Sequence, residues 1–439
     1  MLLRCALIVS VAVAGACAES RGAEEPPVEA AAPEKPLRKL DVPGEEYHTP
    51  RAGEGFETAV LGREIRVEPR DRRTITAWDL GMSAIAPGVP TQEVLPFASL
   101  FLWRQPDERT FFRAVMVGFY DDLIFAKSAE STSPIEAVFT FENLTVPFAR
   151  DEYIDGKGFE DEQLLWGQVR GGVGIGYRER LPQPGHNDNM MAVSLLAEPG
   201  YLYFDDGKDA APGFVEPQDT FEGRVHLKLR LDALERNLVE LPHRGYALGS
   251  DLIYGVRTNW EDWGINRERR ASGAKDFEAL SVYLAGVRGV PFVESERHRL
   301  IGTLHGGWGD GQDRFSNLRV GGGPTGYEFE SISRPVLPGA MIEEYRTDRY
   351  AVAIGEYRYE PIFFAYFSVR SSVSYVRRER LHGGVREWSD DVLGSVGARL
   401  VSGFFFETLL QLDYNYNAGV LRRGEFGGHE VTVHVSGSF

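Results

Sequence analysis

The feature that most constrains this chain is alternation of apolar with charged or polar side chains over runs of about ten residues, with no run past the N-terminal leader approaching the ~20 apolar residues of a membrane helix. Val225, Leu227, Leu229 and Leu231 interleave with Arg224, His226, Lys228, Arg230 and Asp232. A period of two puts the two sets on opposite faces of an extended strand. A charge at every second position is too costly for an oil-like core, but it is accommodated where that face meets water inside a cylinder and the other meets lipid. The same pattern runs through Ile135 to Phe141, Val169 to Tyr177 and Leu410 to Tyr416. It closes the chain, where Val431, Val433, Val435, Gly437 and the final residue Phe439 alternate with Thr432, His434, Ser436 and Ser438.

Polar turn-formers such as Asp205-Asp206-Gly207-Lys208, His382-Gly383-Gly384 and Gly424 to Gly428 separate these segments. The pattern predicts strands near residues 73–86, 93–103, 109–119, 121–128, 134–143, 163–178, 187–197, 219–232, 245–258, 275–290, 296–309, 348–358, 362–376, 390–401, 404–417 and 429–439. The expected fold class is therefore all-β: a transmembrane antiparallel β-barrel of about sixteen strands with a long in-folding loop. Closure satisfies every backbone group within the hydrocarbon and removes both sheet edges. A soluble sandwich or propeller would also alternate. Against it stand an export signal, the terminal Phe439, and Trp103, Trp166, Trp260, Trp263, Trp308 and Trp388 near strand ends, expected to form interfacial girdles.

The export signal is residues 1–18, where Arg4 precedes an apolar stretch too short to span a bilayer. Two processing routes fit: Ala16-Cys17-Ala18 suits ordinary cleavage, while Cys17 within Ala14-Gly15-Ala16-Cys17 would carry lipid. Residues 19–56 hold Pro26, Pro27, Pro33, Pro36, Pro43 and Pro50 among Ala and Glu and read as a disordered periplasmic arm, with the barrel occupying 57–439. Of 439 residues, 65 are acidic and 48 basic, a formal charge of −17, which argues against nucleic acid as a partner. The two cysteines, Cys5 and Cys17, supply neither a disulfide framework nor a zinc site.

One stretch resembles a known family. Arg299-Leu300-Ile301-Gly302-Thr303-Leu304-His305-Gly306-Gly307-Trp308-Gly309-Asp310-Gly311, then Phe315, then Gly321-Gly322-Gly323-Pro324-Thr325-Gly326-Tyr327, is similar to the Gly-rich strand and lumen loop of the outer-membrane assembly-factor superfamily, of which BamA and TamA are members. In that family the loop carries Gly-Gly followed by Arg-Gly-Tyr or Arg-Gly-Phe, folds into the lumen, and is followed by five strands. Five candidate strands follow Tyr327 here, and the resemblance covers roughly 296–439. It implies a barrel-only member, since 19–56 is too short for the family's polypeptide-transport-associated domains. Two departures coincide: the family's loop Arg is Thr325, and the acidic residue that receives it is Arg370. These losses suggest a reversed lock in which Glu328 or Glu330 pairs with Arg370, the alternative being a luminal Arg370 among water and other acids.

No catalytic constellation stands out. His305-Gly306-Gly307 lacks a G-x-S-x-G elbow and reads as Gly-rich strand. Gly172-Val173-Gly174-Ile175-Gly176 lacks a dinucleotide-site context, and its glycines are expected to make room for the plug loop. Asp205-Asp206-Gly207-Lys208-Asp209 lacks calcium-loop spacing. The nine His show no paired metal spacing, and His226 and His434 fall on luminal faces. The expectation is a non-enzyme without cofactor or metal. It sits in the bacterial outer membrane and assists insertion or translocation of protein or lipid through a loop-plugged lumen and a lateral seam between the first strand and Glu430–Phe439, loosened by Gly437 and Gly427–Gly428. Its partners would be outer-membrane lipid and unfolded outer-membrane proteins or separate periplasmic domains. A passive channel and a structural, partner-bound barrel are the alternatives.

Overall fold

Sixteen long antiparallel strands follow one another around a closed barrel: β1 Thr74–Ala86, β2 Val94–Arg104, β3 Thr110–Met116, β4 Tyr120–Ser128, β5 Ile135–Thr145, β6 Lys157–Arg180, β7 Met190–Asp206, β8 Thr220–Arg236, β9 Pro242–Arg257, β10 Asp276–Gly289, β11 His298–Asp310, β12 Tyr345–Ile362, β13 Ala365–His382, β14 Val385–Phe405, β15 Thr408–Arg422 and β16 Glu425–Ser438. The computed structural model describes residues 37–40, 46–60, 62–88, 93–130, 132–145, 150–154, 156–181, 189–206, 210–324, 326, 328–382, 385–405 and 408–438. The barrel lies wholly within the compact unit Leu40–Phe439. No helix among the described residues is long and apolar enough to cross a membrane.

Each expected strand is present, and alternation sorts the side chains as the period demands. On β8, Phe221, Val225 and Leu227 are exposed outward while Arg230 and Asp232 are buried inward. On β16, Val431 faces out between the buried Glu430 and Thr432. The outward set forms a lipid-compatible belt and the inward set a charged lumen. His226 lies in that lumen between Glu198 (3.1 Å) and Asp251 (2.9 Å), and His434 lies 3.0 Å from Asp79.

The tryptophan girdle needs correction. Trp308 and Trp388 are exposed on the outer surface, whereas Trp103, Trp166, Trp260 and Trp263 are buried inside. Three of the four surround Phe315, at centroid distances of 5.3 Å for Trp166, 5.8 Å for Trp260 and 5.3 Å for Trp263. Position near a strand end does not say which way a ring points. The long upper parts of the strands and the β9–β10 loop fold inward here, with Glu162 taking Arg269 (3.3 Å) and Arg257 taking Asp313 (2.6 Å). The glycines of β6 do not make room for the loop: a Cβ at Gly172 would meet Thr140 Oγ1 and one at Gly174 the Leu195 carbonyl, both on neighbouring strands.

The wall is uneven. β16 and β1 pair continuously from His429↔Ala86 to Ser438↔Ala77, so the expected seam is closed. β2 and β3 pair only from Leu100↔Met116 to Arg104↔Phe112. The cause is an early turn at Val117–Phe119, where Gly118 takes φ +88° and Val117 N–H donates to the Tyr120 carbonyl (2.9 Å). Among the described residues, Val94–Ser99 therefore pair with β1 alone. The Ile85 N–H to Glu93 carbonyl bond (3.0 Å) turns the odd-numbered groups of β2 toward β1, leaving those of Val94, Pro96 and Ala98 on the other edge. Proline lacks the N–H that an incoming strand would need, which protects the edge.

Ahead of the barrel the chain is ordered earlier than its composition suggests. Residues 46–56, assigned above to a disordered arm, lie against the turns at the lower end, and the hairpin Phe56–Val60/Arg63–Val67 precedes β1, so the barrel wall starts at Thr74 rather than 57. Thr49 N–H donates to Glu296 (3.0 Å), Thr49 Oγ1 to Glu360 (2.6 Å), and Phe56 packs edge-on to Phe363 (5.2 Å). Arg51 bridges to Asn237 in the β8–β9 turn. That turn stands half-way round from β1, so this segment crosses the lower mouth. Proline and acid content hid a few well-placed anchors, Tyr47, Thr49 and Phe56, that order it.

Candidate functional site

The loop Gly311–Glu344 between β11 and β12 enters the lumen and is held at two ends. At its neck, Leu318–Val320 pair with Tyr345–Thr347 of β12, Gly322 N–H donates to the Met341 carbonyl (2.8 Å) and Leu337 N–H to that of Gly321 (2.7 Å). Val320, Leu337 and Ala340 are fully buried against Tyr350, Val376, Leu393 and Val420 of β12–β15. Across this neck lies Glu430 of β16. Its carboxylate accepts from Gly323 N–H (2.6 Å), Gly339 N–H (3.0 Å) and Asn415 Nδ2 (2.9 Å). The glycines make that approach possible. A Cβ at Gly322 would stand 1.9 Å from the Ala340 carbonyl and 2.5 Å from Glu430, and Gly339 takes φ +86° with its Cβ position 2.6 Å from Asn417.

At the tip, Glu328-Phe329-Glu330 makes three separate contacts with the opposite wall. Glu328 accepts from Arg113 Nε (2.6 Å) and Nη2 (2.9 Å), and the third nitrogen, Nη1, donates to Asp122 (2.6 Å). Phe329 fits edge-on between Trp103 and Phe111, each 6.4 Å away. Glu330 binds Lys228 (3.0 Å) and Arg230 (3.1 Å). A short 3-10 turn, Ser331–Ser333, then seats Ile332 among Leu234, Tyr283 and Ile301. Loop acids thus meet wall bases by charge-assisted pairs in a sheltered site.

The polarity of the expected lock is present but its partner is not Arg370. That residue, on β13, donates to Asn415 Oδ1 (2.7 Å) and lies 3.4 Å from Asp413, while Glu328 and Glu330 engage β3 and β8 instead. The loop crosses the lumen before its acids appear, so they face strands far from β13 in the ring. Arg370 reaches the loop by relay: through Asn415 to Glu430, and from Glu430 to Gly323 and Gly339. Of the other loop positions, Gly321, Gly322 and Gly323 form the neck and Gly326 lies at the tip; Thr325 and Tyr327 lie outside the described residues, as does Phe439. Val431, Val433 and Val435 lie on β16, paired with Ala84, Met82 and Leu80 of β1.

Sequence reasoning missed Glu430, Asn415, Arg113, Phe329 and Gly339. Glu430 had one signal: it is the only acid on the luminal face of the terminal strand pattern. Arg113 had none, because nothing in its local sequence indicates which loop it meets. Among the described residues no group of three His, Cys, Asp or Glu is placed to hold a metal ion.

A closed sixteen-stranded barrel with a lipid-facing belt and a gripped luminal loop is the architecture of a bacterial outer-membrane protein. The barrel is similar to the crystal structure of BamA from Haemophilus ducreyi lacking POTRA domains 1-3, at 10% identity and TM-score 0.50, over 88% of this chain and 75% of that one. It is also similar to CdiB from Acinetobacter baumannii (7% identity, TM-score 0.46, 89% of this chain and 64% of that one) and to CdiB from Escherichia coli (12%, 0.45, 88% and 67%). No family profile and no curated protein sequence matches the chain.

Proposed function

We propose that this barrel assists the insertion or translocation of protein or lipid at the outer membrane by coupling its luminal loop to its closing seam. The observation that carries this reading is the position of Glu430. It grips the loop neck from β16, and at Ile85 it pairs with β1, so one residue belongs both to the plug and to the junction. Displacing the neck would remove the hydrogen-bond partners of a carboxylate beside that junction. The likeness to BamA accords with an assembly role, and a loop held across the lumen at neck and tip accords poorly with free solute flow.

The test pairs two variants with two readouts. Glu430→Ala leaves the Gly323 and Gly339 N–H groups without their acceptor, a loss of about 1–3 kcal/mol each. It should convert a quiet barrel into one with frequent openings in planar bilayers. A cysteine at Met82 on the outer face of β1 should crosslink to unfolded outer-membrane protein, more efficiently when combined with Glu430→Ala. Steady conductance with solute flux in the unmodified protein, and no crosslink in either background, would make it a passive channel.

A further inference from the structure

Below the loop tip lies a cavity of about 570 Å³ whose lining does not suit a water-filled lumen. Luminal faces of membrane barrels are ordinarily polar and short periplasmic turns ordinarily solvated. Here five separate elements direct apolar side chains at one space: Ile75 of β1, Phe101 and Trp103 of β2, Leu238 and its neighbours in the β8–β9 turn, Phe329 of the loop and Leu409 of β15. The void falls within the range of small-molecule pockets and would hold on the order of twenty methylene-sized groups at interior packing density. Polar side chains in the lining are largely engaged elsewhere, Arg236 with Asp232, Glu328 with Arg113 and Gln411 with Asp413.

Arg72, buried to 3% exposure, lines the cavity and is held by Glu240 (2.8 Å); Ser436 and Ser438 also line it, Ser438 accepting from Arg70 (2.6 Å). These serines and Gly437 belong to β16 where it meets β1 at Ala77, so the cavity adjoins the lipid-facing wall. A mainly apolar space of one-chain volume with a buried guanidinium in its lining matches a single acyl chain carrying an anionic head. We propose that this cavity binds a long-chain fatty acid. The site stands whether or not the seam opens for proteins.

The experiment uses the whole protein in phosphatidylcholine vesicles with a palmitate bearing a diazirine on its chain. After illumination, labelled peptides are mapped by mass spectrometry with and without excess palmitate. Label that palmitate competes away should fall on Ile75, Phe101 or Leu409, while Leu412 and Val431 on the outer face take label that is not competed. Filling the space with Val239→Trp or Leu409→Trp should cut luminal label about tenfold, the equivalent of ~1.4 kcal/mol, and leave outer label unchanged. Val239 lies in a turn, so its variant disturbs no strand pairing, and heat-modifiable migration verifies that each variant is folded. Arg72→Gln should raise the palmitate concentration needed for competition several-fold. Label confined to the outer face, luminal label that excess palmitate leaves untouched, or luminal label surviving both filled variants would overturn the site. An unchanged competition curve in Arg72→Gln would overturn the anionic head.

Discussion

Arg113 shows what individual residues contribute here. Its side chain, almost wholly buried, serves Glu328 and Asp122 together, so removing it strands two sheltered carboxylates. Breaking a buried pair by deleting one partner is typically worth about 3–5 kcal/mol. Arg113→Ala should therefore lower the temperature at which the barrel loses its compact electrophoretic form, and adding Glu328→Gln should restore part of that loss. A double variant that is no better than the single would mean the loop tip contributes nothing through this pair. The exposed pair Arg73–Asp71 has similar geometry (2.7 Å), yet Arg73→Ala should leave the same measurement unchanged, because water already solvates both groups. Geometry alone does not rank ion pairs; burial does.

Among the elements, the ladder lengths decide where the wall is weakest. β13 and β14 pair from Ala365↔Ser402 to His382↔Val385, while β2 and β3 share only Leu100–Arg104 with Met116–Phe112. Local opening follows the number of hydrogen bonds and the buried contacts that must break. In hydrogen-exchange mass spectrometry of the detergent-solubilised barrel, β3 and the Val94–Ser99 edge should take up deuterium before the β16–β1 junction, and β13–β14 last. Exchange starting at β16–β1 would move the weak point to the seam. The sequence offered a hint in Gly118 and in Pro96, but the consequence of an early turn for a neighbouring strand appears only in the register.

For the molecule as a whole, the segment that lies against the lower turns is held there by charge. Glu296, in the turn after β10, is partly buried, which would raise its pKa. Arg51, the Thr49 N–H and Arg299 outweigh that and hold it below the ordinary carboxylate value near 4.5. A depressed carboxylate stabilises the folded form above its unfolded pKa and loses that contribution as pH falls through the folded one. His48 and His243 also lie beside it, both at 3.7 Å. Residues 46–73 should consequently become sensitive to an acid-active protease such as pepsin as pH drops below about 4. Glu296→Gln should be cut more readily at neutral pH by a protease active there, such as trypsin, and show a flatter profile with pepsin; an unchanged profile would remove Glu296 from the docking of this segment.

What the sequence determined by itself is the wall. A period of two, carried by residues such as Val225, Leu227 and Val431, is a local property, and lipid on one side and water on the other leave it one closed solution. The glycines at 321–323 were legible too, and they form the loop neck because glycine is required wherever backbones approach as closely as Gly322 and Ala340. Only the tertiary structure decided what the charges meet. Arg370, Glu328 and Glu330 are distant in sequence from every candidate partner, and the path of a loop across the lumen brings Arg113, Arg230 and Lys228 to its acids while leaving Arg370 to Asn415. Four tryptophans turned inward for the same reason: alternation assigns a face within a strand, but past the strand's membrane segment it is packing between loops that sets where a ring is buried.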